Sequence, residues 1–257
     1  MEYRNIEVGE ENGFATVTMS RPERRNALSE EHLRELLHAL RAIGESKSTG
    51  VIVAAKGPVF SAGHDFADMQ ARDLEGMQRL FRVCGELMQE IPRLPQVVVA
   101  QVEGLATAAG CQLVASCDLA VAGESSRFQV PGGRGGLFCT TPGVALARAV
   151  GRKHALEMLL TGDPIDSQCA LAWGLLNRVV PDADVATETR ALLARATRGS
   201  RRSKAIGKRA FHRQVDMNLG DAYVYASEVM AAGSQIDDAR ENMSAFLEKR
   251  RARFRED

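Results

Sequence analysis

An excess of charge is the first thing this 257-residue sequence lacks. Lys+Arg 33 balance Asp+Glu 33, so no overall positive field exists to hold a polyanion, and a dedicated nucleic-acid binder is not expected. No uncharged apolar run reaches the roughly 18 residues that a membrane-spanning helix needs. The start, MEYRNIEVGEENGFATV, lacks the basic segment followed by an apolar stretch that marks a secretory signal. Cysteine is sparse: Cys84, Cys111, Cys117, Cys139 and Cys169 are odd in number and follow no framework or zinc spacing, as in a reducing compartment. These absences predict a cytoplasmic chain with no metal site, no nucleic-acid partner and no membrane contact.

Several familiar motifs are missing too. There is no GxGxxG opening a first strand-to-helix turn, no GxxxxGK[ST] and no GxSxG, so the usual nucleotide-binding and serine-hydrolase signatures are absent. GGRGGLF, residues 132–138, has the look of an arginine-glycine RNA-binding segment, but it occurs once and without an aromatic platform. Cys111 and Cys117 sit six residues apart in an apolar stretch, where free cysteine is usually inert packing.

What is present is an ordinary globular composition, 45% hydrophobic and 26% charged, long enough for one large domain with or without a helical appendage. IEVGEENGFATVTMS predicts a hairpin about a Glu-Asn-Gly turn. Ser29 is placed to cap a helix carrying Leu33, Leu36, Leu37 and Leu40 and ending near Gly44. GVIVAAKG, PQVVVAQVEG (95–104) and DLAVAGE read as buried strands, and Leu80, Val83, Cys84, Leu87, Met88 and Ile91 trace an amphipathic helix between the first two. The alternation predicts an α/β fold with both sheet faces covered. From about residue 143 the reading is mostly helical. RRSKAIGKRAFHR and EKRRARFRED are locally basic; on charge alone the solvated helix face is favoured over phosphate contact.

Two stretches belong together physically. FSAGHDF follows the strand VIVAAKG and LATAAGCQL follows PQVVVAQVEG, so small residues stand where a buried strand ends and a helix is expected to start. Small residues admit a ligand close to the backbone, and free N–H groups there favour negative charge. Two such turns facing one another would make an oxyanion hole.

At these stretches the sequence resembles the enoyl-CoA hydratase/isomerase, or crotonase, family. The resemblance is carried by RPERRNALS (21–29), GPVFSAGHDFADM (57–69), VEGLATAAGCQLVASCDLAVA (102–122), RFQVPGGRGGLF (127–138) and TGDPIDSQCALAWGLLNRVV (161–180), in order along nearly the whole chain. It implies a crotonase-like spiral of ββα units over residues 1–200, and over 201–257 a helical region that forms a homotrimer or a dimer of trimers. It also implies an acyl-CoA thioester as substrate, with no cofactor beyond the coenzyme A that the substrate carries. By the same resemblance the backbone N–H groups of His64 and Ala109 receive the thioester oxygen. Arg25, Ala27, Ala62, Asp65, Phe66 and Ala67 line the coenzyme A path, and Lys208 and Phe211 lie near its phosphates.

The sequence departs from that pattern where family hydratases carry two glutamates. It has Gln112 at one position and Gly132 at the other. Glutamine orients water but exchanges no proton near neutral pH, and glycine does neither. The resemblance therefore implies a thioester-polarising site without efficient hydration. A binding protein that has lost catalysis, and a thioesterase using Cys139, are the competing readings. Thr140, Arg134 and Asp68 are further polar residues on the same segments, read first as serving loop geometry.

Overall fold

The structure, a computed structural model, describes residues 2–254. The expected hairpin is there: β1 (Ile6–Glu11) runs antiparallel to β2 (Phe14–Met19), with positive φ at Asn12 and Gly13 in the turn, the left-handed pair that matches strand twist. α1 (Glu30–Gly44) begins at Ser29, whose Oγ accepts the His32 N–H, and buries its leucine face.

The chain then runs through β3 (Gly50–Ala55), α2 (Phe66–Gln70), α3 (Leu74–Arg93), β4 (Val97–Val102), β5 (Leu105–Thr107), α4 (Ala109–Ser116), β6 (Leu119–Gly123) and β7 (Arg127–Gln129). Next come α5 (Thr140–Ala149), α6 (Arg152–Thr161), β8 (Ile165–Asp166), α7 (Ser167–Trp173), β9 (Arg178–Val180) and α8 (Val185–Ala196). The last helices are α9 (Arg201–Gln214), α10 (Leu219–Gly233) and α11 (Asp237–Leu247).

A six-stranded sheet of order β1-β2-β3-β4-β6-β9 is parallel beyond the first hairpin. One face packs on α1 and α3 through residues such as Leu36, Leu40, Leu80 and Leu87. The other meets α8, where Val185 and Leu193 close over Ile52, Val99 and Val121. This two-sided cover is why β3 and β4 read as near-continuous apolar runs. A second, short sheet of β5, β7 and β8 is continued by the bridges Ser61↔Ala106 and Leu28↔His64. Successive turns of the chain thus give one strand to the large sheet and one short segment to the small one before a helix returns.

The run after residue 143 is mostly helical, as expected, with two short strands that the sequence did not disclose: β8 and β9 interrupt it, and β9 forms the edge of the large sheet by pairing with β6 from Val121↔Arg178 to Gly123↔Val180. Strands of two and three residues carry no periodicity to read.

Candidate active site

The site starts from the strap 21–29. Arg25 and Asn26 both take left-handed φ, 51° and 50°. Asn26 is fully buried; its Nδ2 donates to the carbonyls of Lys56 and Val59, its Oδ1 accepts the Arg21 N–H, and its own carbonyl accepts from Ser61 Oγ. Asparagine tolerates that φ and satisfies these groups, so one side chain clamps the strap to the segment 56–63. The Ala62 N–H donates to Arg25 O at 2.9 Å, and Ala27 O accepts from His32 Nδ1. Burial pushes His32 down to about 4, so the ring is neutral beneath the strap.

The expected turns face one another. At the first, Leu28 donates its N–H to Gly63 O (2.7 Å) and accepts the Asp65 N–H (3.2 Å), so the alternation of a parallel bridge leaves the His64 N–H pointing away. The expected helix start is there as well, since α2 begins at Phe66 and is capped by Asp65, but the His64 N–H lies ahead of it and is freed by the bridge. At the second, Ala109 is the first residue of α4, where an N–H has no intrahelical acceptor. Neither N–H donates to another described residue.

The turns touch. A β-carbon on Gly63, whose φ is 82°, would stand 2.8 Å from Ala108 Cβ and 3.2 Å from Ala109 N, so only glycine lets them close. Ala108 itself takes φ 49° and ψ −118°, strain on the order of 1–3 kcal/mol. It is held there by its N–H on Gln129 O (2.9 Å) and its carbonyl on the Gln112 N–H (3.0 Å).

Gln112 lies one turn along α4 from Ala109 and is 4% exposed; its Oε1 accepts weakly from Cys84 Sγ at 3.9 Å. Gly132 sits in the turn Pro131–Gly133, and its N–H donates to Cys139 Sγ at 3.2 Å. A β-carbon there would meet Leu137 O at 2.1 Å and Cys139 Sγ at 2.6 Å. The His64 ring packs edge-on to Phe81 (5.3 Å); burial lowers its pKa, and Nε2 has no partner. Thr107 Oγ1, just before the strained Ala108, is also buried and unpartnered, a feature that no motif in the sequence singles out.

The remaining polar candidates are engaged. Asp68 accepts the Glu30 N–H and pairs with Arg72, and Asp65 caps α2 and faces Arg21 at 3.6 Å. Arg134 pairs with Asp163 at 2.7 Å, and Thr140 Oγ1 donates to Phe138 O. Cys139 is buried, which raises its pKa. Phe66 and Phe211 are exposed, as are Arg25 and Ala67.

Lys208 sits differently from the phosphate contact expected of it. Its side chain is 9% exposed, donates to the carbonyls of Ile91 and Gln96, and pairs with Asp118 at 2.6 Å. All three ammonium protons are committed within the chain. Asp118, read in the sequence as only the start of a strand, also caps the Val98 N–H and meets His212. No group of three or more His, Cys, Asp or Glu able to hold a metal occurs among the described residues. A cavity of ≈ 620 Å³ lies between α9, α10 and α11, walled by Ile206, Ala210, Val229 and Met243 and away from the two turns.

Known proteins resemble this chain in sequence and in fold. Residues 9–257 match the enoyl-CoA hydratase/isomerase family. A human protein, enoyl-CoA hydratase domain-containing protein 3, mitochondrial, is 45% identical over 243 residues, 93% of this chain and 80% of its own. A Thermus thermophilus protein named putative enoyl-CoA hydratase is 33% identical over 249 residues, 95% of this chain and 98% of its own. Among crystal structures, an enoyl-CoA hydratase of Mycobacterium smegmatis superposes with a TM-score of 0.94 at 43% identity, over 98% of this chain and 99% of that one. Human enoyl-CoA hydratase domain-containing protein 3 does so at 0.93 and 42%, over 97% and 100%. The chain belongs to the enoyl-CoA hydratase/isomerase family and has the crotonase fold, an α/β spiral with helices at its C-terminus.

Proposed function

We propose that the protein binds an acyl-CoA thioester and stabilises the enolate of its acyl group at the His64 and Ala109 N–H groups. The observation that carries this is the pair of unsatisfied backbone donors on two turns in contact, one of them held in a strained conformation. Preorganised donors of this kind act where negative charge develops and need no side-chain acidity. Arg25, Ala27, Ala62, Asp65, Phe66 and Ala67 follow one another along the strap and the first turn, where an extended coenzyme A would run.

In this reading the protein is a lyase or isomerase whose hydration of enoyl-CoA is slow. Each missing acid or base costs on the order of 10²- to 10⁴-fold, against on the order of 10²- to 10³-fold for an oxyanion donor. Calorimetric titration with butyryl-CoA, paired with a turnover screen over CoA thioesters, tests it: binding is expected, with crotonyl-CoA hydrated slowly or not at all. Failure to bind any CoA thioester refutes the reading. A binding protein without catalysis is the second reading, favoured by the engagement of Asp65 and Asp68. The thioesterase reading is weakened because burial keeps the Cys139 thiol protonated; an unchanged hydrolysis rate in Cys139→Ala ends it.

The same proposal includes a homotrimer, or a dimer of trimers, built on the C-terminal helices. Leu219, Tyr223, Val224 and Met230 of α10 stand exposed in the single chain, with Phe246 and Leu247 of α11. Light scattering should give a multiple of three subunits, and Met230→Glu should lower it. No helix is long and apolar enough to cross a membrane among the described residues. A cytoplasmic location rests on the five unpaired cysteines. The human relative's name says mitochondrial, and cell fractionation decides between the two.

A further inference from the structure

A thioester enolate forms in two ways: a base takes a proton from Cα, or a bond from Cα to a leaving carbon breaks and leaves its electron pair behind. The first needs a free proton acceptor beside the two N–H groups. Here Gln112 is a neutral amide, Asp68 is tied to Arg72 and the Glu30 N–H, and Asp65 caps α2 beside Arg21. No acid side chain fits at Gly132 while Leu137 O and Cys139 Sγ stand 2.1 and 2.6 Å from its β-carbon position. The His64 ring is neutral with Nε2 sealed, and Cys84 and Cys111 are pushed up to about 12 by burial.

What the site does offer is a neutral donor. Gln112 Oε1 is taken by Cys84 Sγ, and Nε2 donates to none of the described residues. It lies one helical turn from the Ala109 N–H, on the same side of α4. A glutamate at this place would repel an anionic substituent on Cα, whereas an arginine would hold the anion against departure. An amide orients it and does neither.

We infer that the reactive substrate is a 2-carboxyacyl thioester of the malonyl class, its thioester oxygen on the His64 and Ala109 N–H groups and its carboxylate on Gln112 Nε2. This rests on the thioester reading above. The bond between Cα and the carboxylate carbon breaks, and carbon dioxide leaves. Its electron pair enters the thioester as the enolate, and water gives Cα a proton, so the products are the shortened acyl-CoA, carbon dioxide and hydroxide. The step needs no base, no oxidant and no reductant.

The test uses the full chain with malonyl-CoA and methylmalonyl-CoA, following carbon dioxide release and product mass, beside butyryl-CoA binding by calorimetry. Carbon dioxide release at least about tenfold faster than crotonyl-CoA hydration is expected, with one deuterium per turnover entering C2 in heavy water. Gln112→Glu should lower kcat/KM for malonyl-CoA by on the order of 30-fold through like-charge repulsion. Gln112→Met, uncharged and of similar size, should raise KM for malonyl-CoA while leaving butyryl-CoA affinity within about threefold, as loss of one hydrogen bond to the carboxylate predicts. Butyryl-CoA binding without carbon dioxide release above buffer overturns this inference and leaves the thioester site standing. So does release that neither substitution alters. Absence of binding by every CoA thioester overturns both.

Discussion

A β-carbon on Gly132 has nowhere to go, since it would stand 2.1 Å from Leu137 O and 2.6 Å from Cys139 Sγ, one a backbone atom and the other buried. Gly132→Ala is therefore expected to cost about 2 kcal/mol, as overpacking does, read from urea unfolding. Gln112→Glu with Gly132→Glu should not bring crotonyl-CoA hydration more than about tenfold above the parent chain, because the second carboxylate cannot take its place without moving the loop. His32 sets a pH limit. Its folded pKa, about 4, lies below the ordinary 6.5 because the ring is buried, so its contribution to stability is complete above pH 6.5 and is lost as pH falls toward 4. Between pH 7 and 5 this amounts to about 2 kcal/mol. His32→Gln should shrink the fall in unfolding free energy between those two pH values by that amount. At this scale the sequence names Gln112 and Gly132 as departures, but the tightness around Gly132 depends on how residues 133–138 fold back, which no local pattern states.

Among the elements, the strap and the two turns behave as one unit. Asn26 holds the strap through its side chain and a left-handed backbone. Asn26→Ala leaves the carbonyls of Lys56 and Val59 and the Arg21 N–H without partners and keeps a φ that alanine disfavours. A loss on the order of 3 kcal/mol is expected, with weaker acyl-CoA binding, both measurable on one preparation by denaturation and calorimetry. The hairpin, the Ser29 cap and the presence of two small-residue turns were legible because each depends on neighbours within a few residues. That the His64 N–H is freed by a bridge to Leu28, and not by a helix end, was not, since the bridging residue lies 36 positions away.

For the whole molecule, Asp118 and Lys208 join the C-terminal helices to the core across 90 residues of sequence. Asp118→Ala would leave a buried ammonium unpaired and is expected to cost on the order of 3–5 kcal/mol, with Lys208→Met costing less because it leaves no buried charge behind. Hydrogen exchange along α9 should rise in the first variant. The basic run around Lys208 could not disclose this in sequence, because its acceptors, Ile91 O, Gln96 O and Asp118, come together only through the fold. The α/β class was legible, since buried parallel strands and amphipathic helices write long periodic patterns, whereas β9 was too short to do so. The packing around Gly132 also orders the paths by which this chain could change. Any side chain arriving at 132 while Leu137 O and Cys139 Sγ stand where they do lowers stability, so a substitution there is admitted only after one at the residues that crowd it, and the order in which this loop can change is set by its packing.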